Sequence, residues 1–208
     1  MVLAILVTVV VGYLLGNLNG AIITSRFFVH EDVREKGSGN AGLTNFVRNF
    51  GASKALLVIF VDVGKTVAAC LLGGALLGPH GYTDAGKVLG ALAVSLGHDF
   101  PVFFGFRGGK GIVCGATVAL ILDIWVFLVL VVIFFTCFFI TRIVSLSSLL
   151  VSVSFAIGFV IHFWGNPSLQ IGTAVIGIFA VWMHRQNIKR LLAGTEKKFS
   201  FGSKENNK

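Results

Sequence analysis

The chain of 208 residues is 55% hydrophobic and only 12% charged, with a mean hydropathy of +0.89. Soluble domains carry about 25% charged residues, so this composition excludes a water-soluble globule, a nucleic-acid-binding domain and a disordered chain. It predicts an all-α, polytopic membrane protein that forms one compact helix bundle. The formal net charge is nevertheless +8, from 17 Lys and Arg against 9 Asp and Glu, so the placement of the basic residues is informative.

Seven apolar runs predict membrane-spanning helices, at about 2–25, 55–77, 88–104, 111–122, 124–141, 149–163 and 169–183. The stretch 111–141 leaves two interpretations open, because one helix of that length would measure about 46 Å and the hydrocarbon core is about 30 Å thick. A single tilted helix would absorb part of the excess. Two helices that turn near Asp123 would remove it.

The basic residues favour one topology. With seven spans and the N-terminus outside, every Lys and Arg except Lys65 and Lys87 lies on one side, which the positive-inside rule identifies as cytoplasmic. Six spans would move Arg142 and the C-terminal tail outside. We therefore predict seven transmembrane helices with the C-terminus in the cytoplasm, as a single domain over 1–196 followed by a polar cytoplasmic tail over 197–208.

Neither the first apolar run nor the cysteines change this prediction. The first run lacks a basic segment before it and a small-residue cleavage site after it, so we expect it to be retained as a span. Cys70, Cys114 and Cys137 lie in or beside apolar runs without Cys-x-x-Cys spacing, which is typical of packed thiols rather than of disulfides or a metal site.

The first polar motif, GSGNAGLTNFVR, occupies 37–48. Its glycines allow backbone conformations that other residues resist, so successive N–H groups can form an anion-binding concavity. Arg48 adds a guanidinium that can grip phosphate with two donors. Neutral hydrogen-bonding groups come from Ser38, Asn40, Thr44 and Asn45. The alternative is a flexible connector between two spans.

The second polar motif, GHDFPVFFGFRGGKG, occupies 97–111. The run from Gly108 to Gly111 precedes an apolar helix, so backbone amides and Lys110 lie at a helix N-terminus, where phosphate is commonly bound. The motif is not a P-loop, because Phe104 stands in place of its first glycine and Gly111 in place of its Ser or Thr. A basic anchor in a tight turn is the alternative, and His98 by itself is more typical of a structural histidine.

The third polar motif, HRQNIKRLLAGTE, occupies 184–196 and follows the last apolar run. His184, Asn187 and Leu191 share one helix face, so His184 and Asn187 can point together into a site at the membrane surface. A basic amphipathic helix at the interface is the alternative.

Two smaller sets have equally open interpretations. Asp62 and Lys65 lie three residues apart in the second apolar run, where charges are costly and are usually paired or functional. Either a structural ion pair or a role at the site would explain them. Ser145 and Ser148 share a helix face and can donate to an anion, although serines also bond to helix carbonyls.

Some kinds of site are missing from the sequence. It contains no Gly-x-Ser-x-Gly nucleophile elbow and no His, Asp or Glu cluster with metal-ligand spacing. A His-then-Asp pattern of acyltransferase type, His80 and Asp84, has one residue too few and lies on the predicted outer side. The sequence thus offers several anion sites and no obvious general base.

Taken together, the three polar motifs resemble the three signature motifs of PlsY, the acyl-phosphate-dependent glycerol-3-phosphate acyltransferases of bacterial membranes. The resemblance extends from the first span to about Glu196, with the same seven-span layout. The departures are Arg107, where lysine is frequent, Cys114, where a small or hydroxyl residue is usual, and Thr66, where glycine is common. Thr66 follows Lys65 directly, so the role of the Asp62 and Lys65 pair stays open.

The resemblance implies transfer of an acyl chain from acyl phosphate to the 1-hydroxyl of sn-glycerol 3-phosphate, in phospholipid biosynthesis. The products would be 1-acylglycerol 3-phosphate (lysophosphatidate) and phosphate. It also implies a multi-pass protein of the bacterial inner membrane with its active site at the cytoplasmic face. We expect no metal and no cofactor, the two substrates and the lipid bilayer as partners, no nucleic acid, and a monomer.

The motif residues receive the following roles as a hypothesis. Acyl phosphate would be held by Ser38, Gly39, Asn40, Thr44 and backbone amides of the first motif. Glycerol 3-phosphate would be held by Arg48, Lys110, Ser148, His184 and Asn187, with Lys110, His184 and Asn187 nearest the chemistry. Asn45, Gly108 and Gly109 complete the expected substrate-binding set.

Acyl phosphate is an activated mixed anhydride, so proximity and charge stabilisation can suffice without a general base. A substrate phosphate oxygen would then accept the hydroxyl proton. In the rival assignment His184 is the base. A small organic-anion transporter is the alternative function, although the polar residues cluster on one face and no inverted repeat is visible. A phospholipid-binding scaffold would explain the basic surface but not the Ser, Asn and Thr residues.

Overall fold

The computed structural model describes residues 1–199, and over that range the chain is helical without a β-strand. Its α-helices are, in chain order, α1 (Val2–Gly16), α2 (Gly20–Thr24), α3 (Leu43–Phe50), α4 (Ala55–Leu77), α5 (Thr83–Asp99), α6 (Ile112–Leu122), α7 (Ile124–Thr141), α8 (Val144–His162), α9 (Pro167–Met183) and α10 (Arg185–Leu192). Of the predicted polar tail, residues 200–208 lie outside the described residues.

Five helical stretches are long and apolar enough to cross a bilayer: Val2–Val29, Ala55–His80, Thr83–Phe104, Ile124–Thr141 and Val144–His162. A sixth forms if α9 and α10, which meet at a bend of 53°, are taken as one span. By length and composition, the described part of the chain thus supplies five or six spans, against the seven expected from the charge pattern. α6, with only 11 residues, is too short to be counted, and α9 is counted only together with α10.

The first predicted span is interrupted at residues 17–19. The Asn19 carboxamide caps α2 by accepting a hydrogen bond from the backbone of that helix (3.0 Å). The carbonyls of Gly16 and Leu18 accept hydrogen bonds from Lys65 Nζ at 3.3 and 3.0 Å. Non-helical backbone at membrane depth needs such partners within the protein, and average hydropathy does not reveal them.

The stretch 111–141 forms two helices. Asp123 separates α6 from α7 in an extended conformation, and its carboxylate caps α7 by accepting a backbone hydrogen bond (2.7 Å). Lys110 before α6 hydrogen-bonds to α10, and Arg142 after α7 hydrogen-bonds to the segment that follows α10. Both helices therefore reach the same end of the bundle, and the single long helix is the wrong alternative.

Other helix bounds differ from the sequence prediction for local reasons. The predicted helix 88–104 is observed as α5, which ends at Asp99 because Pro101 disfavours helical backbone at the residue before it. The predicted helix 149–163 begins earlier, at Val144, as α8. The short helix α3 was not expected, since its residues belong to a polar motif that sequence reasoning treats as a loop.

Glycines allow the central helices to pack backbone against backbone. A Cβ atom on Gly97 of α5 would lie 2.1 Å from the carbonyl oxygen of Tyr13 in α1. Between α4 and α5, a Cβ on Gly73 or Gly86 would lie 2.1 Å from the carbonyl oxygen of the other residue. Because hydrophobic burial gives no gain in lipid, small residues that permit close contact drive helix packing there.

The periphery of the bundle is apolar. Along α7, Trp125, Val132 and Ile140 are 73%, 64% and 77% exposed, and the mean hydropathy of this helix is 2.9. An exposed apolar helix of this kind suits a lipid environment. The protein is therefore a multi-pass membrane protein, and its polar residues concentrate at one end of the bundle.

Candidate active site

A cavity of about 500 Å³ opens among the motif segments and continues between α6, α7, α8 and α9. Nine of the predicted site residues line it: Ser38, Asn40, Thr44, Asn45, Arg48, Lys110, Ser148, His184 and Asn187. The folding of the bundle thus brings the three polar motifs to one place. Gly39, Gly108 and Gly109 are not part of the cavity wall.

The first motif is braced from inside by Asn45. This buried carboxamide donates to the carbonyls of Val33, Lys36 and Asn40 and accepts from the Ser38 amide, at 3.0–3.1 Å. Both ends of the side chain are therefore occupied by the loop itself. Asn45 shapes the loop that presents Ser38 and Asn40 to the cavity, although the sequence suggested direct substrate contact.

Gly39 also has a conformational role in this loop. Its φ of +71° lies in the left-handed region, which a residue with a side chain adopts at a cost. Its amide donates to the Lys36 carbonyl at 3.0 Å. The glycine permits the turn and contributes no group to the cavity.

The glycines of the second motif dock their loop against the end of α5. The amides of Gly108 and Gly109 donate to the carbonyls of Asp99 and His98, each at 3.1 Å. A Cβ on Gly109 would lie 2.2 Å from His98 Nε2, so only glycine fits there. These two amides are already paired within the protein, in contrast to the free phosphate-binding amides that the sequence suggested.

Lys110 projects from the docked loop into the cavity. Its ammonium group donates to the carboxamide oxygen of Asn187. Burial lowers the pKa of Lys110 to about 8, and the positive charge of Arg190 adds to this effect. The cavity therefore holds a lysine whose cationic form is less stable than in water and would gain from a bound anion.

The third motif bends at His184, between α9 and α10. His184 Nδ1 lies 2.8 Å from the Ala180 carbonyl oxygen, which assigns a proton to Nδ1 and leaves Nε2 of the neutral ring as an acceptor. Asn187 lies one turn further on. It accepts from Lys110 and donates to Glu196 (2.8 Å), so the orientation of its carboxamide is fixed.

Glu196 lines the cavity and connects the segment after α10 with α8 and α10. Its carboxylate accepts hydrogen bonds from Ser145 (2.7 Å), Asn187 (2.8 Å) and Arg190 (2.6 Å). Burial opposes ionisation of Glu196, but these three donors outweigh it and hold the pKa of the carboxyl below its ordinary value. Neither Glu196 nor Arg190 was among the predicted site residues, although both stand in the third motif.

The serines at the start of α8 divide by role. Ser145 donates to Glu196, whereas the Ser147 and Ser152 hydroxyls donate to carbonyls one turn back in the helix. Ser148 is 3% exposed and lines the cavity. Back-bonding is thus seen at Ser147 and Ser152, and Ser145 donates to a carboxylate of the protein; donation by Ser148 to a bound anion stays a prediction.

A buried polar cluster is composed of Asn19, Asp62, Lys65 and His98, and two of its members, Asp62 and His98, belong to the cavity wall. Lys65 Nζ is 2.7 Å from both Asp62 Oδ1 and His98 Nδ1. Asp62 Oδ1 also accepts from the Gly20 amide (3.1 Å), and Asn19 Nδ2 donates to the Ala41 carbonyl (3.1 Å). The cluster therefore joins the interrupted first helix to both polar loops, which supports the structural interpretation of Asp62 and Lys65.

Among the described residues, one group could hold a metal by spacing alone: Asp62, His98 and Cys114, with ligand atoms within 4.8 Å of one another. Lys65 contacts two of these three residues through its ammonium group. A cation placed there would be repelled by Lys65, so the group is better described as an ion-pair network.

Asp99 adds a carboxylate that sequence reasoning passed over. It lines the cavity, is 2% exposed, and its Oδ1 has no hydrogen-bond partner among residues 1–199. It directly follows His98, so the only signal in the sequence was an acid inside the second motif. In a cavity rich in donors, Asp99 supplies an acceptor.

Comparisons with known proteins identify the family of this chain. A family model described as glycerol-3-phosphate acyltransferase matches residues 6–194. A curated glycerol-3-phosphate acyltransferase of Thermoanaerobacter sp. (strain X514) is 39% identical over 191 residues, which cover 92% of this chain and 93% of the relative. Another from Anaeromyxobacter sp. (strain Fw109-5) is 38% identical over 194 residues, which cover 93% of this chain and 95% of that relative.

Two solved structures share the fold. The crystal structure of PlsY (YgiH), an integral membrane glycerol 3-phosphate acyltransferase, in its glycerol 3-phosphate form gives a TM-score of 0.85 at 32% identity, with 94% of this chain and 96% of that chain covered. Its lysophosphatidic acid form gives a TM-score of 0.82 at 31% identity, with 94% of this chain and 95% of that chain covered. The resemblance of the three motifs is thereby confirmed, and the chain belongs to the PlsY family of integral membrane glycerol-3-phosphate acyltransferases.

Proposed function

We propose that this chain transfers a fatty acyl group from acyl phosphate to the 1-hydroxyl of sn-glycerol 3-phosphate. The products are 1-acylglycerol 3-phosphate and inorganic phosphate. The observation that carries the proposal is that one cavity joins a polar, basic wall to an apolar one. Such a site suits two phosphates and an alkyl chain at once.

The polar wall would hold the two phosphates. Ser38, Asn40 and Thr44 form one donor group, which we assign to acyl phosphate. A second group, assigned to glycerol 3-phosphate, contains Arg48, Lys110, Ser148, His184 and Asn187. Two anions in one site need several cations or oriented donors where little water is present. Asn45, Gly39, Gly108 and Gly109 act by shaping the two loops.

The apolar wall would hold the acyl chain. It is lined by Phe127, Leu130 and Phe134 of α7 and by Val151 and Phe155 of α8. Leu130 and Phe155 are buried in the core of the bundle, whereas α7, which supplies three of these residues, has the largest exposed share among the five long apolar helices. A long-chain donor and product would therefore enter and leave through the bilayer, while glycerol 3-phosphate arrives from water.

The proposed mechanism needs no dedicated base. The 1-hydroxyl oxygen of glycerol 3-phosphate attacks the acyl carbon, a new C–O ester bond forms, and the bond from the acyl carbon to the phosphate oxygen breaks. The hydroxyl proton passes to a phosphate oxygen, so phosphate leaves as hydrogen phosphate. The protein supplies proximity and charge stabilisation, and His184 Nε2 would accept a hydrogen bond from the 2-hydroxyl of glycerol 3-phosphate, which orients the 1-hydroxyl for attack.

We further propose that the protein crosses the bacterial inner membrane seven times and works as a monomer. The N-terminus would lie outside, and residues 1–196 would form a single domain. The short helix α6 would then be the fourth span and α7 the fifth. The distribution of basic residues supports this topology, because the positive-inside rule favours a cytoplasmic location for the polar end of the bundle.

The direct test uses purified protein with palmitoyl phosphate and glycerol 3-phosphate, and follows phosphate release together with lysophosphatidate formation. We expect stoichiometric amounts of both products. Palmitoyl-CoA in place of palmitoyl phosphate serves as the control for the donor and should give no product. Turnover with palmitoyl-CoA but not with palmitoyl phosphate would contradict the assignment of acyl phosphate as donor. A folded sample without turnover on either donor would contradict the proposed reaction.

A further inference from the structure

We propose that Phe199, together with the Lys197 carbonyl, is a positioning element for Arg48. Residues 195–199 follow α10, and we refer to them as the C-terminal strap. The inference rests on the proposed function, in which Arg48 binds the phosphate of glycerol 3-phosphate. The strap lies beyond residue 194, where the family match ends. Its first two residues close the third motif, and from residue 197 onward the sequence had indicated only a polar tail.

Two contacts join the strap to Arg48. Arg48 Nη2 donates to the Lys197 carbonyl oxygen at 3.2 Å. The guanidinium carbon lies 5.9 Å from the centroid of the Phe199 ring, within the range of a cation–π interaction. The strap thus touches both the N–H edge and the face of one guanidinium.

The strap is itself anchored at both ends. At its start, Glu196 is bound to Ser145, Asn187 and Arg190. At its end, the Phe199 amide donates to the Arg142 carbonyl at 2.7 Å. The strap therefore runs from α10 to the turn between α7 and α8.

The Phe199 ring also packs on the bundle. It lies edge-on to Phe138 of α7, with centroids 5.9 Å apart and an interplanar angle of 67°. Edge-to-face pairs of this geometry contribute stability beyond the area that they bury. The ring is thus held from one side by α7 while Arg48 lies near it on α3.

Arg48 needs such support because it is an exposed residue in the last turn of α3. A long arginine side chain loses much rotamer freedom when it binds a ligand. The Phe199 ring contacts the face of the guanidinium, so the ring itself takes up no N–H donor, while the Lys197 carbonyl takes up Nη2. Ordering Arg48 in advance should therefore tighten glycerol 3-phosphate binding.

The test compares Phe199→Ala, Phe199→Leu and Phe199→Trp with the wild-type enzyme. We expect Phe199→Ala and Phe199→Leu to raise KM for glycerol 3-phosphate about two- to fivefold, the range of an exposed cation–π contact. The value of kcat and the KM for palmitoyl phosphate should stay within error. Phe199→Trp restores an aromatic face and should restore KM. The matched control is Lys198→Ala, which alters the exposed neighbouring residue and should change nothing.

A double-mutant cycle separates positioning from a general effect on folding. In the background of Arg48→Ala, adding Phe199→Ala should raise KM no further, because the side chain that Phe199 positions is gone. An undiminished effect in that background would overturn the proposal. An unchanged KM in Phe199→Ala would also overturn it. So would a raised KM in Phe199→Trp, provided that this variant has the same melting temperature as the wild type.

A direct measurement of glycerol 3-phosphate binding tests the role of Phe199 independently of the proposed reaction. If the wild-type protein shows no turnover, the proposed reaction fails, but calorimetric titration of the same variants with glycerol 3-phosphate still measures the role of Phe199. A two- to fivefold weaker Kd for Phe199→Ala, about the cation–π range, would support the proposal. An equal Kd would refute it.

Discussion

At the scale of single residues, the polar side chains of the cavity are held by one another before any substrate arrives. Lys110 donates to Asn187, Asn187 donates to Glu196, and Glu196 also binds Arg190 and Ser145. A cation, an amide and a carboxylate follow one another in this hydrogen-bond network, so each group has a hydrogen-bond partner in its neighbour. Such preorganisation lowers the reorganisation needed when charge moves during a reaction.

The pKa of Lys110 predicts how activity depends on pH. With a pKa of about 8, Lys110 is cationic below pH 8 and loses its charge above it. The ratio kcat/KM reports ionisations of the free enzyme, so kcat/KM for glycerol 3-phosphate should fall about tenfold per pH unit above this value. Initial rates measured over pH 6–10 at low glycerol 3-phosphate concentration test this decline in kcat/KM.

Lys110→Arg is the control for this profile. An arginine stays protonated up to a pKa above about 12, so the decline near pH 8 should disappear, although the different shape of the side chain lowers the overall rate. A decline that persists unchanged in Lys110→Arg would assign it to another group. Lys110→Ala should mainly raise KM for glycerol 3-phosphate.

His184→Gln distinguishes binding from base catalysis. Loss of a general base typically costs 10²–10⁴-fold in rate, whereas loss of one hydrogen bond to substrate costs about tenfold. In the substrate-assisted mechanism His184 only accepts a hydrogen bond, so kcat should fall by about tenfold. Steady-state kinetics at saturating substrates measure the difference, and a fall of 10³-fold would make His184 the base.

At the scale of secondary-structure elements, the interrupted first helix depends on a buried ion pair. Lys65 and Asp62, with side chains 1% and 2% exposed, satisfy the backbone of residues 16–20. The unwound turn in return places Asn19 against the first polar loop. The pair thus positions the site indirectly, through the elements that it joins.

Removing one charge of this pair should be strongly destabilising. Asp62→Asn keeps the shape of the side chain but leaves the Lys65 ammonium buried without its counter-charge, which typically costs about 3–5 kcal/mol. We expect a clearly lower melting temperature in detergent. The double variant with Asp62→Asn and Lys65→Met should recover part of that loss, and a melting temperature unchanged in Asp62→Asn would contradict this description.

Helix packing gives a second prediction for α4. Gly73→Ala would place a Cβ atom 2.1 Å from the Gly86 carbonyl oxygen, so α4 and α5 must separate at a cost of about 1–3 kcal/mol. Gly64→Ala is the matched control on the same helix, because a Cβ there meets nothing within 4 Å. Alanine has the higher helix propensity by up to about 1 kcal/mol. Thermal unfolding should therefore show a lower melting temperature for Gly73→Ala and a higher one for Gly64→Ala.

At the scale of the whole molecule, the bundle separates its two kinds of surface. The loops that carry the polar motifs meet at one end, while α7 exposes an apolar face along its length. The cavity connects these regions. A reaction between a water-soluble anion and a lipid-like donor requires such a connection, and no single helix or loop provides it.

The seven-span topology makes a prediction that reporter fusions can check. If α6 and α7 each cross the membrane, alkaline phosphatase fused after Asp123 should be active, because it lies outside. Green fluorescent protein fused after Arg142 should fluoresce, because it lies in the cytoplasm. The 11 residues of α6 measure only about 16 Å, so a thinned bilayer is expected around it. Reporters that place both sites on one side would contradict seven spans.

Much of the site was predictable because the residue types themselves limit the chemistry. Glycine-rich loops with Arg48, Lys110 and the His184–Asn187 pair indicate phosphate binding from sequence, and these side chains do meet at one cavity. The roles of Asn45 and Gly109 were not predictable. Whether an amide or carboxamide faces a ligand or its own loop depends on hydrogen bonds between distant segments.

The amino-acid sequence by itself determined the membrane class, the approximate helices and the family, because hydropathy and three ordered motifs are properties of the chain alone. Only the tertiary structure decided where the first helix is interrupted, how 111–141 divides, that Glu196 lines the cavity and that Phe199 contacts Arg48. These features depend on contacts between residues far apart in the chain, such as Lys65 with the carbonyls of Gly16 and Leu18. Local composition carries no record of such partners.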